Sequence, residues 1–225
     1  MMDWRAFQLS VELALGTLII LLPFSIWLGR VLATRRFPGR GFVEAAVALP
    51  LVLPPTVIGF YLLTAFGAGS TLGQAWQSVF GSGLAFSFEG LLLASVLVNL
   101  PFAVQPIQNA FAAVPPVLRE AGATAGMPPW RVLLRVELPL AWPGIATAAV
   151  LTFAHTLGEF GVVLMVGGSI PGETQTIAIA IYDRVQAFDD AGAAVMSAVL
   201  LGVSVVALGI TNTLSRRVGR RRRDA

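Results

Sequence analysis

Long, uninterrupted apolar runs dominate this chain. A bilayer's hydrocarbon core is about 30 Å thick and an α-helix rises about 1.5 Å per residue, so roughly 20 apolar residues cross it. Five runs reach that length, at about residues 13–32, 45–66, 90–111, 141–166 and 191–214. The second, third and fifth carry no charged residue. The pattern predicts an all-α integral membrane protein with five transmembrane helices, six being the alternative count. A β-barrel would show short segments of alternating polarity instead. The connection Gly67 to Gly83 is rich in glycine and serine and reads as a turn-rich loop, with a short interfacial helix expected around Ala75 to Phe80. A second loop runs from Gly167 to Asp190. No internal repeat stands out, which argues against an inverted-repeat carrier. The whole of 1–225 reads as a single transmembrane domain.

Composition supports the membrane reading. Charged residues make up 12% of the chain and hydrophobic ones 56%, against about 25% charged in soluble domains. That leaves too little charge to coat a water-facing surface. The fifteen basic residues are all arginine, and they flank the apolar runs. They therefore report membrane topology and not nucleic-acid binding. Arg30, Arg35, Arg36 and Arg40 border the end of the first run. Arg119, Arg131 and Arg135 lie between the third and fourth, and Arg216, Arg217, Arg220, Arg221, Arg222 and Arg223 follow the fifth. With five spans all three groups fall on one side, and only Arg5 and Arg184 on the other. The positive-inside rule then places the N-terminus outside and the C-terminus in the cytoplasm. The terminal cluster is expected to attract anionic lipid at about 1 kcal/mol per arginine. Asp3 and Glu12 stand where a cleavable signal would be basic, so the first span is expected to be retained. There is no cysteine and only one histidine, His155, which excludes disulfides, thiolate chemistry and histidine-rich metal sites. No cofactor or metal is expected on the chain.

The segment from Val114 to Gly144 is the most informative. Pro115 and Pro116 suit the first turn of a helix over Val117 to Ala125, and Gly126 suits its left-handed end. Pro128 and Pro129 start a second short helix, Trp130 to Glu137, which Pro139 is expected to stop. Arg131 and Arg135 share one face, and Val132, Leu133 and Val136 form an apolar stripe. An apolar stripe on a short capped helix predicts a docking element for a partner groove.

Glu120-Ala121-Gly122, Gly126 four residues after Gly122, and Val136-Glu137-Leu138-Pro139 resemble the EAA loop of ATP-binding-cassette (ABC) importer permeases. Gly122 and Val136 stand where that pattern has alanine and isoleucine. The resemblance implies the type I ABC importer permease fold. It implies that loop 114–140 is a cytoplasmic coupling helix-turn-helix seated in an ATPase cleft, with Glu120, Ala121, Gly122, Gly126, Trp130, Arg131, Leu138 and Pro139 as coupling residues. The chain has no phosphate-binding loop and no lysine, so Mg-ATP would bind a separate cytoplasmic ATPase dimer. One loop facing two ATPase clefts implies a homodimer.

Leu49-Pro-Leu-Val-Leu-Pro-Pro55, Gly158-Glu-Phe-Gly161 and the loop from Ile170 to Gln186 resemble the molybdate/tungstate permease subunits of that class, with sulfate or thiosulfate permeases as the alternative. An ion-coupled secondary carrier is a more distant alternative. The resemblance implies a bacterial inner-membrane protein that receives oxyanion from an extracytoplasmic molybdate-binding protein. Candidate pathway or gate residues are Pro54, Pro55, Thr56 and Gly59 at a proline break, and Asn99, Gly158 and Glu159 within spans. Prolines free carbonyls and kink helices. Neutral donors suit a transient path for a dianion, because a fixed cation at low dielectric would hold it too tightly. Gln105, Gln108 and Asn109 offer further polar groups nearer the cytoplasmic end. His155 lies one turn before Glu159, so the two share a face. Many permeases of the class it resembles carry arginine where this chain has His155, and that departure leads us to expect pH-sensitive transport. Glu159 would repel an oxyanion and is not expected to bind it.

Overall fold

A computed structural model describes residues 2–221, and every regular element among them is helical. Helix α1, Trp4–Thr34, starts where the Asp3 carboxylate accepts the Ala6 N–H at 3.0 Å. Helices α2, Arg40–Val52, and α3, Pro55–Phe66, follow. The residue before a proline is sterically driven out of the helical region. Leu53 and Pro54 each precede a proline, and both are extended, with ψ of 138° and 137°. The two helices consequently meet at a 110° bend. The second apolar run, expected as one kinked span, is a broken pair.

Helix α4, Thr71–Phe80, lies in the first glycine-rich loop and is capped by Ser70 Oγ at Gly73 N, 2.8 Å. It begins several residues before the expected Ala75. Helix α5, Phe88–Ala112, is capped by Ser87 in the same way. Then come α6, Pro116–Thr124, α7, Pro129–Val132, a π-helical turn Leu133–Glu137, and α8, Leu138–Gly158. Pro139 does not stop the second short helix. The wider turn moves the Leu138 N–H onto the Leu133 carbonyl, five residues back. That register makes room for a ring that would otherwise clash with the carbonyl one turn earlier. The helix therefore continues into the membrane span.

The fourth run was expected to be continuous to about 166. It breaks after Gly158, where Glu159 turns extended, and restarts as α9, Gly161–Gly167. Helix α10, Ile177–Gln186, occupies what read as a loop, and α11, Asp190–Arg221, completes the chain. Among the described residues, four helical stretches are long and apolar enough to cross a membrane: Trp4–Thr34, Phe88–Ala112, Pro129–Gly158 and Asp190–Ile210. The α2–α3 pair makes a fifth if it counts as one span. The side chains of the C-terminal arginine cluster lie outside the described residues.

Helix α5 forms the centre of the bundle. Near one end, Leu91 packs with Leu13 of α1, Val163 of α9 and Ile179 of α10. Near the other, Ile107 and Phe111 pack with Ala141 and Ala148 of α8, with Leu22 and Ile26 of α1 against them. Polar side chains also tie helices together, as expected where no water satisfies them. Thr17 Oγ1 donates to Ser95 Oγ at 2.9 Å, and the Ile177 N–H donates to Ser10 Oγ at 2.8 Å.

Candidate functional site

Two arrangements carry the candidate chemistry: the proline-bounded loop and a polar cluster at the break between α8 and α9. In the loop, α6 ends in a hydrogen-bonded cap. Gly126 has φ of +76°; its N–H donates to the Ala123 carbonyl and that of Met127 to Gly122, both at 3.0 Å. Only a left-handed residue closes this pair of bonds, which is why glycine stands there. The chain then returns through α7 across α6. A Cβ at Gly122 would lie 3.2 Å from Val132 Cγ2, so the missing methyl lets the two short helices touch.

Val132 is buried in this contact, and the expected outward stripe of Val132, Leu133 and Val136 is not presented. The exposed apolar side chains are instead Val117, Leu118, Trp130 and Leu134. Glu120, Ala121, Arg131 and Pro139 are exposed, Leu138 is half-buried, and Gly122 is buried. The Arg131 guanidinium lies 5.1 Å from the Trp130 ring. That leaves a cation and a large aromatic surface presented together.

Glu137 is 2% exposed. It pairs with Arg30 of α1 and, at 2.9 Å, with Arg119 of α6. Arg119 Nη2 also donates to the Phe111 carbonyl at the end of α5, 2.6 Å. Arg30 and Arg119 read only as topology signals in the sequence. The available clue was an acidic residue flanked by Val136 and Leu138, where burial requires a cationic partner.

Within the bundle, Asn99 is fully buried; its amide donates to the Ser95 carbonyl at 2.8 Å. His155 Nδ1 lies 3.1 Å from Asn99 Oδ1, and its ring stacks on Phe102 with centroids 3.9 Å apart. Because Asn99 Oδ1 is an acceptor, Nδ1 carries the imidazole proton. Nε2 lies 3.8 Å from Glu159 Oε2. The other Glu159 oxygen accepts the Val162 N–H at 3.0 Å, capping the restarted helix. One carboxylate thus spans the break, and His155 links it to α5. Gln108 lies apart from this cluster and donates to Glu44 at 2.8 Å.

The candidates from the α2–α3 break separate. Pro54, Pro55 and Thr56 are exposed, as is Gly158. Gly59 faces inward, and a Cβ there would come within 2.6 Å of Met165 Cβ. Gly161 is similarly closed against Pro55, at 2.7 Å. Helices α3 and α9 therefore touch through two glycines. Among the described residues, no three histidine or acidic side chains gather as a metal site.

Residues 22–220 match the family of binding-protein-dependent transport system inner membrane components. The chain belongs to that family. It is 48% identical over 195 residues to the molybdenum transport system permease protein of Azotobacter vinelandii, covering 85% of this chain and 84% of that one. It is 32% identical over 198 residues to the sulfate transport system permease protein of Escherichia coli, covering 88% and 71%. Its fold resembles a chain of the bacterial ABC transporter that imports alginate, with TM-score 0.70, 19% identity and coverage of 96% and 78%. The type I importer permease fold expected from the loop is the fold observed. The permease is a multi-pass inner-membrane transport component and not itself an enzyme.

Protonating His155 would give it a second N–H aimed at the Glu159 carboxylate and make the contact an ion pair across the break. Uptake measured between about pH 5.5 and about pH 8 is therefore expected to change toward the acid end, where the ring gains its second proton. The uptake rate of His155→Gln should be flat over that window. A flat wild-type profile would contradict the expectation.

Proposed function

We propose that this permease is the membrane subunit of an ATP-driven importer carrying molybdate, or tungstate, into the cytoplasm by alternating access. The supporting observation is the 48% identity to a molybdenum permease over most of both chains, against 32% to a sulfate permease. An extracytoplasmic binding protein delivers the oxyanion, and a cytoplasmic ATPase dimer holds Mg-ATP. The N-terminus faces outward and the C-terminus the cytoplasm, following the arginine distribution. Two copies assemble with the pathway between them. In the single chain the α2–α3 and α8–α9 breaks leave Pro54, Pro55, Thr56 and Gly158 uncovered, which suits a surface shared with a second copy.

The loop docks on the ATPase through Glu120, Ala121, Trp130 and Arg131. Gly122, Gly126, Leu138 and Pro139 shape it. ATP binding draws two such loops together, and the spans reorient. Asn99 and Glu159 hold the break in span four without binding the dianion. Their hydrogen-bond partners are protein groups, and the carboxylate would repel an anion.

Uptake into vesicles containing permease, ATPase and binding protein tests this reading. Molybdate accumulation that requires ATP and is not displaced by excess sulfate is expected. ATP-independent uptake driven by an ion gradient would overturn it, and preferential sulfate uptake would overturn the substrate assignment.

A further inference from the structure

The loop is attached to the bundle by short backbone connections and by one ionic knot. On one side, only Ala113, Val114 and Pro115 separate α5 from α6. On the other, the chain enters α8 through the π-helical turn, where the regular α-helical hydrogen-bond register is interrupted. Neither backbone connection runs from the loop to α1, so a push on the loop reaches that span only through side-chain contacts.

The side chains of Glu137, Arg30 and Arg119 join these pieces directly. The buried Glu137 carboxylate faces two guanidiniums from different elements, Arg30 on the last turns of α1 and Arg119 on α6. Arg119 reaches onward to the Phe111 carbonyl of α5. Three elements therefore meet at one carboxylate, α1, α6 and the π-helical turn, and α5 joins them through Arg119. Around it, Phe111 and Ala141 are fully buried, with Ala33, Leu133 and Leu138 packed against the same core. A buried charge held by partners on separate elements resists separation, because parting them leaves charge unpaired at low dielectric.

We propose that Glu137 is a positioning residue that locks the loop to the inner ends of α1 and α5, so that displacement of the loop moves these spans with it. Arg30 is the contact that recruits α1, and Arg119 the one that recruits α6 and α5. The inference extends the importer reading by naming the route through which ATPase motion enters the bundle. It makes a mechanical claim independent of the cargo.

Two measurements test it. The chain has no native cysteine, so spin labels on Thr34→Cys, at the end of α1, and Ala123→Cys, on α6, report the lock in the purified permease. A narrow distance distribution is expected, and Glu137→Gln should broaden it while leaving the helical content unchanged. An unchanged distribution overturns the lock whatever the substrate is.

In the reconstituted importer, once wild-type ATP-driven molybdate uptake is established, Glu137→Gln and Arg30→Met should lower the molybdate moved per ATP hydrolysed by about tenfold, a coupling loss of ordinary size. ATP hydrolysis should persist, and Arg30→Lys, which keeps the charge, should restore most of the ratio. A wild-type ratio in both variants overturns the proposal. So does a parallel fall of uptake and hydrolysis with a lower unfolding midpoint, which would mark a merely structural role. Absence of wild-type molybdate uptake would count against the importer reading alone, since the spin-label distances decide the lock separately.

Discussion

Gly126→Pro is expected to abolish molybdate uptake while ATP hydrolysis by the partner continues. Proline cannot take the +76° φ found at this position and has no N–H to donate to Ala123. The substitution removes that bond and displaces Met127, whose N–H closes the second bond of the cap. Helix α6 would lose its end, and α7 would no longer return across Gly122. No Cβ contact is involved, since a methyl at position 126 meets nothing within 4 Å. The consequence is confined to backbone geometry. Gly126→Ala should therefore cost only the left-handed penalty, roughly 1–2 kcal/mol, and retain most transport. Measuring uptake and ATP hydrolysis together in the two variants separates a deformed handle from a failed fold. Wild-type coupling in Gly126→Pro would contradict a docking role for the loop.

Gly59→Val should strongly destabilise the contact between α3 and α9. Its Cβ would fall 2.6 Å from Met165 Cβ and 3.4 Å from the Val162 Cα, against helix α9 and not at the tip of a movable side chain. The two helices would have to separate. Overpacking of this kind costs about 1–3 kcal/mol even in cores that adjust. The expected result is a lower thermal unfolding midpoint together with slower uptake. Gly158→Ala supplies the control. It lies at the break before α9, but a Cβ there meets nothing within 4 Å in the single chain. Its midpoint should stay close to wild type. If Gly158→Ala nevertheless blocks uptake, the free space at this position is occupied by the second copy or by the cargo, as the proposed pathway requires. Equal stability of Gly59→Val and wild type would contradict the α3–α9 contact.

The spans were legible because solvation by lipid imposes long apolar runs regardless of tertiary detail. The broken second span was legible in kind, through Pro54 and Pro55, but not in its 110° bend. Gly126 was read correctly as a left-handed cap, because that requirement is local. Pro139 reads locally as a stop, and only the wider hydrogen-bond register of the π-helical turn admits it. The apolar stripe was misassigned because helical spacing gives a face without saying which way it turns. Packing of Val132 on Gly122 decided that. Glu137, Arg30 and Arg119 were not legible as a unit. They are far apart in sequence, and their meaning arises only when α1 and the loop fold against each other. His155 and Glu159 were paired correctly by spacing, whereas the link to Asn99 needed the packing of α5 against α8.

In the proposed importer the loop between α5 and α8 receives force from a separate ATPase. The cysteine-free chain allows this to be tested by site-specific crosslinking at a single new thiol. Glu120→Cys, on the exposed surface of α6, should crosslink to the ATPase subunit in intact membranes, and the yield should change when nucleotide is added. Labelling of that thiol from the extracytoplasmic side, or no crosslink to a nucleotide-hydrolysing neighbour in membranes that transport molybdate, would contradict the account.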